Sequence, residues 1–281
     1  MISIVISAYN TSSTIERTIK SVLSQSYENW EMIIINDCSF DNTLEIVKEY
    51  ANKDKRIKVL SHHENKGAGL ARRTGIENIT GEYTIFLDSD DYLKEDCLEV
   101  LYNTAVNNNV DIVSPGYIVT DLFGNILETK IPEKKLYVGD NKFSPNKEET
   151  KRFMNPMLIK SSLWNNVTYS SRRFLEDIPT LVQLLYYANG VLTLDYAGYY
   201  YVQNPTSLIH SSSQIKHDIF RLLCIKDVTA FFNNKGENLS NNNFLKEYNS
   251  LLEKDIEEDE YIKYKNELDE LYTYYLSVVT N

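Results

Sequence analysis

Between Ile2 and Pro115 the chain repeats one rhythm. A short run of apolar, β-branched residues gives way to a polar break, and then to a stretch whose apolar residues recur every three or four positions. Ile2 to Ser7 is the first such run, and SSTIERTIKSVLSQ follows it with Ile15, Ile19, Val22 and Leu23 at helical spacing. Ser13 and Glu16 have capping-box spacing and predict how that helix starts. The unit recurs as WEMIII before NTLEIVKEYA, as IKVLS before a helix near Ala68 to Asn78, and as YTIFLD before a helix near Glu95 to Val106, with DIVSP closing the series. Neighbouring parallel strands need a crossover, and helices supply it. The pattern predicts an α/β fold with a mostly parallel central sheet and helices on both faces.

After Pro115 the rhythm changes. YIVTDLFGNILETKI reads as a hairpin turning at Gly124 and Asn125, which adds antiparallel strands. A short helix is expected over Lys147 to Met154 and a longer one over Ile178 to Ala188, while VLTLDYAGYYYVQ reads as two further strands. From Gln214 to Phe232 the residues Ile219, Leu222, Leu223 and Phe231 suit a helix, NNKGENLSNNN reads as a loop, and Phe244 to Thr280 as an acidic helical tail. The expected division is a domain over residues 1–210, with halves 1–115 and 116–210, and a helical C-terminal extension over 211–281.

Charge limits the partners. Twenty-nine basic residues against forty acidic ones leave a net charge of −11, which opposes a nucleic-acid backbone as the main partner. It also opposes anionic lipid, so peripheral membrane association would need a partner or a local patch. Cys38, Cys97 and Cys224 are scattered without the spacing of a disulfide framework or a zinc site, which suits a reducing cytoplasm. MISIVISAYN enters a strand-like run with no basic leader, and no run reaches the ~20 apolar residues of a membrane span. The expected location is the cytoplasm, or the inner face of the cell membrane.

In an open parallel sheet, ligands sit at the carboxyl ends of the strands. Four such ends carry polar residues: Ala8-Tyr9-Asn10, Asn36-Asp37, His62 to Asn65, and Asp88-Ser89-Asp90-Asp91. Each alone is as well explained by helix capping or a turn. The last set is the most demanding, because three carboxylates in four positions repel one another. An extended chain carries Asp88 and Asp90 on one face, and a hard cation such as Mn²⁺ or Mg²⁺, which prefers oxygen ligands, would relieve the repulsion.

SAYN, IIINDCSFDNT, ENKGAGLARRTGI and FLDSDD stand in the order and spacing seen in family 2 glycosyltransferases, and over residues 1–115 the sequence resembles that family. The resemblance implies the GT-A nucleotide-diphospho-sugar transferase fold and an inverting, metal-dependent transfer. The sugar, a hexosyl or N-acetylhexosaminyl group, would pass from a UDP-sugar donor to a hydroxyl of a glycan or lipid-linked acceptor. It implies a donor site of Ala8, Tyr9, Asn10, Asp37, Asn65, Arg72, Asp88, Ser89 and Asp90, with Tyr9 and Asp37 at the base, Arg72 near the uracil end and Arg73 as its alternative. Asp90 would hold the metal on the donor diphosphate, Asp88 would stand near the ribose or the metal, and His210 lies where some relatives place a residue that reaches the metal or diphosphate. Asp177, with Glu176 beside it, matches the family's general base, although an acid at a helix start equally suits the helix dipole. NDCS replaces the more usual DDGS, so Asn36 and Cys38 stand for an acid and a glycine.

Two other classes compete with this reading. A nucleotidyltransferase would bring a glycine-rich, basic phosphate loop after the first strand, and SAYNTSST offers none. A non-catalytic nucleotide-sugar binder or scaffold is disfavoured by the presence of both acid sets. Trp164 and Tyr199 to Tyr201 could stack on a sugar, but aromatics in strands are more often core. The tail's apolar side, with Leu268, Leu271 and Leu276, suits packing on the main domain or on a second copy, which would make a homo-oligomer through the C-terminal helices.

Overall fold

β1 (Ile2–Ala8) and β2 (Trp30–Asn36) are buried along nearly their whole length, which is why they read as unbroken apolar runs rather than alternating ones. They pair in parallel, β3 (Ile57–Ser61) joins β2 in parallel, and β4 (Tyr83–Phe86) joins the other side of β1 in parallel. The helices α1 (Ile15–Leu23), α2 (Thr43–Lys53) and α3 (Ala68–Ile76) are the crossovers. The computed structural model describes residues 1–139, 154–170, 172, 174–203, 213–237, 241–254 and 256–279.

Side chains from the two faces of these strands enter two separate cores. Ile2, Ile4 and Ile6 pack with Ile15, Ile19 and Val22 of α1, while Val5, Ile33 and Ile35 pack with Ala71 of α3. Each such side chain, 0–1% exposed, contributes about 1.5–3 kcal/mol relative to an exposed one. Gly75 sets how closely α3 can lie on the sheet, because a Cβ there would stand 2.3 Å from a Val5 methyl.

Past β4 the sheet becomes mixed. After the short β5 (Tyr92–Leu93) and α4 (Cys97–Asn108), β6 (Ile112–Thr120) turns into β7 (Ile126–Lys130) as the expected antiparallel hairpin. With β8 (Lys135–Tyr137), β9 (Leu158–Lys160) and β10 (Val191–Val202), the sheet runs in the order β3-β2-β1-β4-β9-β6-β10-β5, with β7 on β6 and β8 on β10. The two strands expected over VLTLDYAGYYYVQ are in fact this single β10, whose pairing with β6 shifts register between Leu194 and Ala197 and again before Tyr199. A bulge bends a strand without ending it, and the interruption of apolar residues at Asp195 is that bulge.

The capping box expected at Ser13 and Glu16 does not form. The helix begins at Ile15 with Thr14 as N-cap and no side-chain cap bond, because Thr14 donates its hydroxyl to the carbonyls of Thr11 and Ser89 instead. Glu16 pairs with Lys20 and Tyr50. The helix expected over Lys147 to Met154 lies outside the described residues apart from Met154 itself.

Contacts divide the chain into one unit of Met1–Arg173 with Thr180–Asn204 and a second of Phe174–Pro179 with Pro205–Asn281. In the second, α6 (Gln214–Asn234), α7 (Asn242–Leu252), α8 (Glu258–Lys263) and α9 (Lys265–Val279) enclose Phe174, Ile219, Leu223, Tyr248, Leu251 and Leu271. No helix among the described residues is long and apolar enough to cross a membrane.

Candidate active site

The carboxyl ends of β1, β2, β3 and β4 lie side by side, since Ala8 is in register with Asn36, Asn36 with Ser61, and Val5 with Phe86. Ala8 is buried and its carbonyl accepts from the Asp37 amide. Tyr9 is 40% exposed and meets the 80% exposed Phe40 edge-on at 5.4 Å. Asn10 ties the two loops together, accepting from the Phe40 amide through Oδ1 while its own amide donates to Ser39 Oγ.

Cys38 takes φ +63°, the left-handed conformation that a glycine would adopt without cost. The NDCS turn therefore keeps the shape of a glycine-containing one, with local strain in place of a missing Cβ.

Asp37 is 2% exposed. Its Oδ1 accepts from His62 Nδ1 at 2.6 Å and from the Lys66 amide, and its Oδ2 accepts from the Gly67 amide at 2.7 Å. Asn65 donates to its carbonyl. The resemblance gives Asp37 to the base pocket; in the structure both carboxylate oxygens clamp the loop that leads into α3. His62 is thereby fixed as a partner of Asp37 and of Thr74, on the other side of the ring at 3.0 Å.

The three acids after β4 are held differently. Asp91 turns inward, 1% exposed, accepting from Tyr199 Oη at 2.6 Å and from the Val202 amide at 2.8 Å. Burial, with Asp88 and Asp90 nearby, pushes its carboxyl well above the usual range. Asp88 pairs with Arg72 Nη2 at 2.7 Å, and its amide donates to Tyr199 Oη. Burial followed by repulsion from Asp88 pushes Asp90 up to about 6, and the Arg17 guanidinium offsets this only in part. Arg73, the alternative to Arg72, instead pairs with Glu77 on the exposed side of α3.

Backbone geometry in this turn is fixed by α1. Thr14 and Thr18 donate to the Ser89 carbonyl, Thr18 also to that of Asp91, and Arg17 Nη2 to that of Asp90 at 2.7 Å. Arg17 lies over the Tyr92 ring, which stacks on Tyr200 at 4.4 Å. These residues are absent from the sequence-based site. Thr14, Arg17 and Thr18 do share one helix face, but nothing in sequence links them to carbonyls more than seventy positions away.

Tyr199 and Trp164 are core residues, Trp164 meeting Phe86 edge-on at 5.7 Å. A cavity of about 500 Å³ lined by Thr80, Gly81, Ser161 and Trp164 flanks the start of β4, at the end of the strand opposite the acids.

Among the described residues no group of three or more His, Cys, Asp or Glu side chains is placed to hold a metal ion. The carboxylates of Asp88, which pairs with Arg72, and Asp90 are of the oxygen type that suits hard cations, which take the rest of their ligands from water and phosphate. His210 lies outside the described residues.

Glu176 and Asp177 belong to the second unit. Glu176 is 7% exposed, and Asp177 is the first residue of α5 (Asp177–Tyr187). Leu175 just before them takes φ +53°, an outlier for a branched side chain, and its carbonyl accepts from Cys224 Sγ. Strain of this kind persists only where surrounding contacts enforce it.

The family model described as Glycosyl transferase family 2 matches residues 3–165. Glycosyltransferase GlyG of Streptococcus pneumoniae serotype 4 is 30% identical over 249 residues, covering 84% of this chain and 79% of the relative. An Escherichia coli protein, UDP-Glc:alpha-D-GlcNAc-diphosphoundecaprenol beta-1,3-glucosyltransferase WfgD, is 35% identical over 137 residues, 49% of this chain. The chain matches about half the length of that relative, 53%. Among solved structures, S. aureus TarS 1-349 in complex with UDP-GlcNAc aligns over 96% of this chain and 80% of its own, with a TM-score of 0.68 at 19% identity. That likeness is one of fold.

Proposed function

This chain belongs to glycosyl transferase family 2, and from that premise we propose that it moves a hexosyl or N-acetylhexosaminyl group from a UDP-sugar to a hydroxyl of a glycan or lipid-linked acceptor in bacterial surface-polysaccharide or glycoconjugate synthesis. The observation that carries this reading is the end of β4. There Asp88 and Asp90 crowd two carboxylates into one turn that Arg17 holds through the Asp90 carbonyl, and burial with repulsion from Asp88 outweighs the Arg17 charge at Asp90, so the turn favours a cation beside a diphosphate. The choice of UDP draws support from WfgD, whose name specifies UDP-Glc and a diphosphoundecaprenol acceptor, and from TarS, whose complex holds UDP-GlcNAc.

In the proposed reaction the donor base lies by Tyr9 and the Asp37-clamped loop, and the diphosphate by Asp88 and Asp90. Asp88 and Asp90 would hold Mn²⁺ or Mg²⁺. Such an ion, when bound, stabilises the charge that develops on the departing diphosphate. Asp177 takes the proton of the acceptor hydroxyl as its oxygen bonds to the anomeric carbon. The bond from that carbon to the diphosphate breaks with its electron pair leaving on UDP, in one displacement that inverts the anomeric centre. Arg72, paired with Asp88, would serve the uracil end of the donor.

The test is transfer of radiolabelled sugar from UDP-glucose or UDP-N-acetylglucosamine to a diphosphoundecaprenol-linked N-acetylglucosamine, with Mn²⁺ present. Asp177→Asn should lower turnover by roughly 10²–10⁴-fold while leaving UDP affinity unchanged. Unchanged turnover removes Asp177 from this role. No transfer from any UDP-sugar overturns the donor assignment.

A further inference from the structure

Leu175 stands directly before the Glu176–Asp177 pair at φ +53°, a conformation that a branched side chain leaves unless its surroundings keep it there. One face of α6 does the keeping. His217, Phe220 and Cys224 follow one another at i, i+3 and i+7, so they share a side of that helix. His217 and Phe220 meet the Phe174 ring edge-on, with centroids 4.8 and 5.6 Å away, and Lys216 Nζ stands 4.2 Å from the same ring centre. Phe174, Phe220 and Cys224 are all buried.

The residue after Phe174 is held through its backbone. The Leu175 carbonyl accepts from Cys224 Sγ at 3.3 Å and from the Ile178 amide at 3.4 Å. The second of these bonds closes the first turn of α5, the helix that begins at Asp177. A single carbonyl therefore serves both α6 and the start of the helix that carries the acid pair.

Such a contact either only fills the helical core, of which Phe174 is a member, or also sets the acids that follow it. The strain argues for the second. A phenylalanine can plug a core from an unstrained turn, and that task requires neither a left-handed leucine after it nor a donor on the leucine's carbonyl. The segment Phe174–Pro179 groups with α6, whereas Tyr9, Asp37, Asp88 and Asp90 belong to the other unit. Substitutions on α6 can therefore disturb the acid pair and spare the donor residues.

We propose that Phe220 and Cys224 are positioning residues, which hold the Glu176–Asp177 pair in place for the acceptor step by gripping Phe174 and the Leu175 carbonyl. The use of the pair rests on the proposed transfer reaction; the grip itself does not. Hydrogen exchange on the full chain tests the grip. In Cys224→Ala and in Phe220→Leu, the amides between Phe174 and Pro179 should exchange at least about tenfold faster, with those of β1 and β4 and the affinity for UDP unchanged. Cys224→Ser, whose hydroxyl can still donate to the Leu175 carbonyl, should stay within about threefold of the wild type.

UDP release from UDP-glucose or UDP-N-acetylglucosamine, with Mn²⁺ present and water as the acceptor, tests the use. Water's oxygen bonds to the anomeric carbon, its proton passes to the acid pair, and UDP leaves with the electron pair. Turnover should fall about tenfold in Cys224→Ala and Phe220→Leu, less than the roughly 10²-fold cost of a 1 Å misplacement, and recover in Cys224→Ser. Adding Cys224→Ala to Asp177→Asn should lower turnover no further, because Cys224 acts through the pair.

Unchanged exchange in both α6 variants, faster exchange with full turnover, a serine variant no better than alanine, or a further tenfold loss in the double variant overturns the proposal. Full turnover in Asp177→Asn beside a loss in Cys224→Ala removes Asp177 as the base and leaves the grip acting on Glu176. Absence of UDP release from the wild type sinks the donor reading, and exchange alone then decides the grip.

Discussion

β2 and β4 both end in buried or half-buried acid, and the fold handles the two ends in opposite ways. At the end of β2, Asp37 is matched by His62 and two loop amides, so its charge is compensated inside the protein. At the end of β4, Asp88 has Arg72 and Asp91 has Tyr199 and Val202, while at Asp90 burial and repulsion from Asp88 outweigh the charge of Arg17. A compensated acid holds a loop in place. One whose burial and like-charged neighbour outweigh its nearby cation, in a turn fixed by Arg17 and Thr18 through the backbone, is a site that favours a positive ligand.

The contrast breaks most easily at Asp37. Asp37→Ala leaves His62 and the amides of Lys66 and Gly67 without their acceptor, and should cost about 3 kcal/mol in urea unfolding. A loss below about 1 kcal/mol would mean that the clamp is ornamental.

Asp90 should behave in the reverse sense in metal-free protein. Its folded pKa, about 6, lies above the ordinary carboxylate value of 3.8. The folded state therefore holds the proton more tightly than the unfolded one. The stability this gives is fully present below the unfolded pKa and is lost as pH rises through about 6. Asp90→Asn should thus raise stability at pH ~7 by about 1–2 kcal/mol, after allowance for partial exposure, and change little at pH ~4. A destabilising substitution at neutral pH would show that the Arg17 charge outweighs burial and repulsion from Asp88.

The smallest effect sharpens the geometry of the β2 end. Cys38→Gly relieves the left-handed strain at φ +63° and should raise stability by about 1 kcal/mol, less the entropy that glycine adds to the unfolded chain. A clear loss would mean that the Cys38 side chain supports the turn through its contact with the His63 carbonyl.

Much of this was legible in the sequence, for physical reasons. β1 to β4 and their helices announce themselves because both faces of a parallel sheet are buried, and the crossovers have a helical period. The acid-rich strand ends were visible because like charges at that density are costly unless they have a use. What stayed hidden depends on long-range backbone partners. Ser13 and Glu16 read as a cap, but the helix starts after Thr14, whose hydroxyl is tied to Ser89; Tyr199 reads as core and also anchors Asp91. β10 reads as two strands because a bulge and a break look alike in one dimension. The segment Phe174–Pro179 groups with helices that begin more than thirty residues later, at Gln214, which no local pattern announces.

The most direct test of the central claim is calorimetric titration of the chain with UDP, with and without Mn²⁺, on the wild type and on Asp90→Ala. Binding that Mn²⁺ strengthens in the wild type, and that loses this dependence in Asp90→Ala, is the predicted result. UDP binding of equal strength in both, with or without the ion, would contradict the assignment of the β4 acids to the donor diphosphate.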